Sequence, residues 1–181
     1  SLDRRQRQMC IRDRAGPHGD FIFELDYIVG KLMAALDKHG FADNTLVIFS
    51  SDNGPEVPTV LSMRQDYKHD GARPWRGVKR DNWEGGHRVP FIARWPGKIK
   101  PGTRSSQTLS LTDLMATFAA ITNVKLPQEA GEDSVNMLPA LIGSDEGKSI
   151  RKYTLHQTIS LALAIRRGPW KYLDHKGCLL Y

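Results

Sequence analysis

The side chains best suited to chemistry lie in two stretches of the 181-residue sequence. The first, Asp52-Asn53-Gly54-Pro55, follows directly on the apolar run TLVIFS. Asp52 offers a carboxylate and Asn53 an amide oxygen, both hard donors of the kind that Ca²⁺ and Mg²⁺ take. Asn-Gly is also a strong turn dipeptide, so the four residues taken alone read first as a turn. The second stretch is GARPWRGVKRDNWEGGHRVPF, Gly71 to Phe91. Gly77 permits a tight turn that leaves Arg76 and Lys79 on a constrained loop. A lysine ammonium is a compact charge suited to one oxyanion, and an arginine can clamp two oxygens. Glu84, just before Gly85-Gly86, can anchor the loop on backbone N–H groups. The plainer reading is a solvated basic loop with Trp75 and Trp83 as core plugs.

The elements that must position these groups follow from period and punctuation. From Asp20 to His39 apolar residues recur at Phe21/Ile22, Leu25, Ile28/Val29, Leu32/Met33 and Leu36. That spacing predicts a helix with Asp20 near its start and Gly40 at the C′ position. Thr45 to Ser50 reads as a continuous apolar strand, which favours a parallel sheet covered on both faces. Sites in open α/β sheets form outside the carboxyl ends of strands, where Asp52 and Asn53 stand. Residues 51–88 show no clear period and read as a long loop with Pro55, Pro58 and Pro74 and five glycines. Val89 to Trp95 reads as a second buried strand closed by Pro96-Gly97. Thr112 can cap a helix reaching Ile121, with Leu114, Phe118 and Ile121 on one face. Val135 to Ile142 suggests a short helix interrupted by Pro139. Tyr153–Leu155, Ala162–Arg166 and Trp170–Leu173 alternate around Arg167-Gly168-Pro169, the pattern of a small antiparallel sheet.

Hydrophobic residues at 40% and charged residues at 25% place the chain among soluble globular domains. No apolar stretch approaches the roughly 20 residues that span a membrane. The arginine-rich start, SLDRRQRQMCIRDR, lacks the apolar region of a signal peptide. The net charge of +6 is concentrated: residues 1–14 carry +3, and the stretch from Lys68 to Arg88 carries another +3. The second of these suggests a local anion site. Residues 1–14 show neither a helical nor a strand period and read as a non-native tail, expected to stay unpacked. Both cysteines, Cys10 and Cys178, lie in the chain's tails, so they do not fix a redox compartment.

A strand ending in SDNG, a loop with RGVKRD, and WEGGHRVPFIARWPG opening another strand together resemble the type I sulfatase family. The resemblance runs from about Gly16 to Gly177 and is densest from Leu46 to Gly97. LTDLMATFAAI and LALAIRRGPWKYLD resemble the family's later helix and its C-terminal antiparallel subdomain. What this implies is an α/β, alkaline-phosphatase-like sulfatase fold present in part. Residues 15–147 would be a partial core and 148–181 a small antiparallel C-terminal subdomain. Carried over residue by residue, the resemblance implies that Asp52 and Asn53 are ligands of Ca²⁺ rather than Mg²⁺. It implies that Lys79 is the catalytic lysine contacting the substrate sulfate. His69 and Arg76 lie where related sulfatases place substrate-facing side chains. Glu84, Gly85, Gly86 and Arg88 match the loop-anchoring part of the signature and read as structural. His87 reads as surface, and His156 as a core or a substrate-side histidine.

The family's nucleophile is a formylglycine made from Cys or Ser in a C/S-x-P-x-R motif, far upstream of SDNG and accompanied by two more metal aspartates. Cys10-Ile11-Arg12-Asp13-Arg14 mimics the ends of that motif but lacks its proline and stands only 42 residues before Asp52. It reads as a decoy. The expectation is the C-terminal part of a sulfatase, inactive by itself. In the complete enzyme the resemblance implies that Ca²⁺ polarises a sulfate oxygen, the formylglycine hydrate attacks sulfur, and Lys79 offsets charge on the sulfate. Substrates would be sulfate esters of a small molecule or glycan, in an extracellular, periplasmic or lysosomal compartment. Two other readings are a phosphate-ester hydrolase of the same superfamily, and a non-catalytic anion- or nucleic-acid-binding module using Trp75, Trp83 and the basic loop. Balanced charge outside the two basic segments, and acids within the loop, count against nucleic acid.

Overall fold

A computed structural model describes residues 4–174, with side chains from residue 16 onward. The chain divides into two compact units: Ser1–Thr45 with Asn53–Pro90, and Leu46–Asp52 with Phe91–Tyr181.

The first unit is helical. Helix α1, Arg4–Lys38, carries the apolar period expected from Asp20 onward, but it begins upstream, so Asp20 is interior and not a cap. A lone acidic residue near an apolar period cannot distinguish a start from a middle. Gly16, at φ +59, departs from regular helical geometry within α1, just before Pro17. A Cβ at Gly16 would lie 2.4 Å from the Tyr67 ring, which packs there. The C-terminus ends as expected. Gly40 has φ +72, its N–H donates to Asp37 O, and the Phe41 N–H donates to Leu36 O, the paired bonds of a Schellman motif.

Residues 51–88 are not a featureless loop. Helix α2, Val57–Tyr67, lies inside them and packs against α1. Its start is written in the sequence as Glu56-Val57-Pro58. The Glu56 carboxylate accepts the Val57 N–H, and the proline sits in the first turn, where its missing N–H costs nothing. Read as a breaker, Pro58 hides the helix it opens. Val60 and Met63 face inward, and Lys68 closes the helix in the left-handed conformation. A single further turn, α3, spans Glu84–His87.

In the second unit, β1, Val47–Ser50, pairs with β2, Phe91–Arg94. They run antiparallel, with Val47 opposite Arg94 and Ser50 opposite Phe91. The expected parallel sheet, covered on both faces, is therefore not what this pair forms. All four residues of β1 are half-buried, and β2 alternates half-buried with exposed. An apolar run reports burial but carries no information on strand direction. Helix α4, Asp113–Thr122, occupies the expected place, but Thr112 does not cap it. No side chain caps its first turn; the Asp113 carboxylate instead reaches back to accept the Ser110 N–H at 2.8 Å, which fixes the chain entering the helix. The buried residues of α4 are Asp113 and Thr117, whereas Phe118 is exposed. The polar pair is satisfied internally. Asp113 also accepts the Val135 N–H and the Arg151 guanidinium, and Thr117 Oγ1 accepts the Met137 N–H at 2.9 Å. Helix α5, Leu138–Ile142, carries Pro139 in its first turn and is not interrupted by it. Strands β3, Thr154–Gln157, β4, Leu163–Arg167, and β5, Trp170–Leu173, form the expected antiparallel sheet in the order β3-β4-β5. Arg167 pairs with Trp170 across Gly168-Pro169, and Gly168 has φ +58, as a glycine-led hairpin turn requires.

Candidate functional site

Three segments of the first unit cross so closely that only glycine fits between them. A Cβ on Gly54 would lie 1.8 Å from Gly85 O, one on Gly85 2.1 Å from Gly77 O, and one on Gly86 2.1 Å from Asp81 O. Backbone hydrogen bonds stitch the crossings. The Gly54 N–H donates to Gly86 O at 2.9 Å, the Gly85 N–H to Arg76 O at 2.8 Å, and the Lys79 N–H to Pro55 O at 3.0 Å. The Asn-Gly dipeptide thus serves a crossing between distant segments, since the Gly54 N–H bonds to Gly86 and not to a neighbour in a local turn. Gly77, at φ +88, turns the central segment, and Asp81 Oδ2 accepts the Val78 N–H at 3.0 Å to hold that turn.

This stitching fixes the backbone of Lys79 beside Pro55, three residues after Asp52. Its ammonium lies 3.4 Å from Glu56 Oε2, while Arg80 Nη1 lies 2.5 Å from Glu56 Oε1. The Arg80 hydrogen bond is the main reason the Glu56 carboxyl falls from its ordinary 4.5 to about 2, with the Val57 N–H and Lys79 adding to it against some desolvation. Glu56 also raises the Arg80 guanidinium. Glu56 is thus the partner of the expected catalytic lysine, and the motif reading passed over it. The available signal was its place before Val57-Pro58, which marks a helix cap.

The other expected residues are placed as follows. The Arg76 guanidinium lies 3.9 Å above the Trp83 ring, and that of Arg88 lies 3.9 Å above Trp75. Trp75 is 39% exposed, so it is a cation-covered platform and not the core plug expected. His69 is exposed, and its backbone N–H bonds to Met63 O at the end of α2. Glu84 Oε2 meets Arg88 Nη1 at 3.5 Å, and Glu84 Oε1 meets His87 Nε2 at 3.7 Å. His87 is half-buried, and so is His156, which lies in β3 opposite Ala164. Asp52 is exposed just beyond the carboxyl end of β1, and Asn53 follows it, half-buried. A carboxylate and an amide oxygen in succession fit a hard cation such as Ca²⁺ as two of its six to eight oxygens. Among the described residues no group of three or more His, Cys, Asp or Glu converges into a metal cluster. The side chain of Cys10 and all of Cys178 lie outside the described residues. No helix among the described residues is long and apolar enough to cross a membrane.

Comparison with known proteins gives a consistent answer. The sulfatase family model matches residues 4–124. The chain is 38% identical over 162 residues to an N-acetylgalactosamine-6-O-sulfatase of Bacteroides thetaiotaomicron, covering 88% of this chain and 31% of that protein. A solved structure from the same species, from work on its metabolism of multiple glycosaminoglycans, superposes with a TM-score of 0.80 at 36% identity, over 89% of this chain and 34% of that one. Ps i-CgsB, solved in complex with k-i-k-neocarrahexaose, superposes with a TM-score of 0.75 at 33% identity, over 90% of this chain and 35% of that one. The chain therefore spans about a third of the length of the relatives it matches.

Proposed function

Because the chain belongs to the sulfatase family and carries part of its alkaline-phosphatase-like α/β fold, we propose that it supplies the sulfate-holding side of an enzyme that hydrolyses sulfate esters of glycans. The observation that carries this reading is the position of Lys79. Its backbone is bonded to Pro55 O at 3.0 Å, which tethers a cation to the segment that bears Asn53. In this reading Lys79 places its ammonium on a sulfate oxygen as charge builds there during S–O cleavage. Glu56 and Arg80 orient that ammonium through the shared carboxylate. The glycine crossings hold the arrangement without reorganisation, which is what electrostatic catalysis requires. Asp52 and Asn53 would hold Ca²⁺, which supplies Lewis-acid polarisation of a sulfate oxygen when bound. His69 and Arg76 would face the rest of the substrate. The residues Cys10 to Arg14 lack the proline of the formylglycine motif, and no step is assigned to them.

A glycan substrate is supported by the relatives, one named for a 6-O-sulfated amino sugar and one solved with a carrahexaose. The family also suggests an extracellular, periplasmic or lysosomal setting. The test is an assay of the full-length enzyme on paired aryl sulfate and aryl phosphate, repeated with Lys79→Ala. Sulfate turnover that collapses in the variant is expected. Turnover of phosphate alone would move the protein to the phosphate-cleaving branch of the fold.

A further inference from the structure

Beside the Lys79 loop, within the first unit, lies an open cleft of about 490 Å³ lined by Arg64, Asp70, Arg73, Pro74, Trp75 and Arg76. The volume is in the range of small-ligand sites. Three guanidinium groups face one carboxylate, so the lining carries a formal charge of +2. Asp70 is 11% exposed and fully occupied in holding the wall. Its Oδ1 accepts the Ala72 N–H at 3.0 Å, and its Oδ2 meets Arg64 Nε at 2.6 Å and Arg73 Nε at 3.4 Å. The Arg64 contact is the main cause of a lowered Asp70 carboxyl. Both arginines meet Asp70 through Nε, and each planar head carries in addition an Nη1/Nη2 edge. That edge is a two-pronged donor that matches a sulfate or carboxylate. The Arg64 and Arg73 side chains are 47% and 83% exposed, so a ligand can reach them. Arg76 lines the cleft three residues before Lys79, which limits the Cα separation to roughly 11 Å.

We propose that this cleft is a second anion subsite, which takes a sulfate or carboxylate on the sugar unit next to the one whose sulfate Lys79 holds. The proposal rests on the sulfatase reading and deepens it: the substrate class becomes glycans charged on adjacent units. Arg73 supplies the exposed fork, Arg64 the second, and Asp70 orients both.

The test measures binding by the full-length protein to three probes: a monosulfated hexose, a disaccharide whose neighbouring unit carries a second sulfate, and one whose neighbour carries a carboxylate. Turnover of each is followed in parallel. The doubly charged probe is expected to bind about tenfold more tightly than the monosulfated one, a difference of 1.4 kcal/mol. In Arg73→Gln that ratio should fall to about one. Arg73→Lys should restore only part of it, because a point charge replaces the fork. Whichever of the two disaccharides shows the ratio identifies the preferred anion. An unchanged ratio in Arg73→Gln, or no preference in the unaltered protein, overturns the subsite while leaving sulfate turnover to stand. A preference that depends on Arg73 without any sulfate turnover keeps the subsite and overturns the sulfatase reading. Failure to bind any of the three overturns both.

Discussion

In the proposed function Lys79 carries the catalytic charge, and Glu56 and Arg80 beside it set how its ammonium is held. Lys79→Ala in the full-length enzyme should cost about 2.7–4 kcal/mol of transition-state stabilisation, the range for losing one oxyanion donor. Lys79→Arg should recover part of kcat/KM, because the charge returns with the wrong shape. Steady-state kinetics on an aryl sulfate read both. Glu56 makes the second prediction at this scale. Its carboxyl lies at about 2 in the folded protein against an ordinary 4.5. A depressed carboxyl contributes stability that is fully present above the ordinary value and is lost as pH falls through the folded one. The Glu56 pairs with Arg80 and Lys79 should therefore survive mild acid and fail only between about pH 4.5 and 2. NMR titration of the Glu56 carboxyl carbon checks this, and a midpoint near 4.5 would mean that the pairs do not form in solution.

Among the elements, the glycine crossings and the α4 anchor are the parts that leave least room for change. Gly85→Ala would push a methyl to 2.1 Å from Gly77 O, and Gly54→Ala one to 1.8 Å from Gly85 O. Backbone atoms cannot swing aside as a side chain can, so each should destabilise by at least the 1–3 kcal/mol typical of overpacking. Gly102→Ala, where nothing lies within 4 Å but φ is +75, isolates backbone strain from collision and should cost less. Melting temperatures of the three variants decide the order. In the second unit Asp113 is fully buried, and it pairs with an Arg151 whose side chain is 9% exposed. Asp113→Ala strands that guanidinium and removes acceptors from the Ser110 and Val135 N–H groups. A loss of about 3–5 kcal/mol is expected in urea unfolding, as for other buried pairs broken on one side. The element readings failed where one residue type carries two meanings. Pro58 and Pro139 sit in the first turns of helices, though they read as breaks, and Thr112 leaves α4 uncapped because its hydroxyl bonds Ser110 Oγ.

For the whole chain, calcium is the sharpest test. The proposed ligands Asp52 and Asn53 would give two oxygens where Ca²⁺ takes six to eight, so this chain should bind Ca²⁺ with a Kd no tighter than about millimolar. Calorimetry that found micromolar binding would mean that further oxygens within these 181 residues complete the shell. The sequence by itself determined a good deal: the helix that ends in a Schellman turn at Gly40, the three-stranded terminal sheet, and the signature from SDNG to EGGHRVPF with the family it belongs to. These are legible because period, punctuation and motif are local properties of the chain. The tertiary structure alone decided that β1 and β2 run antiparallel, since direction depends on which segment arrives alongside. It alone showed Gly54 as a crossing point, Glu56 as the partner of Lys79, and Arg64, Asp70 and Arg73 gathered beside Trp75. Each of those facts depends on distances between residues apart in sequence, and packing sets such distances while local pattern does not encode them.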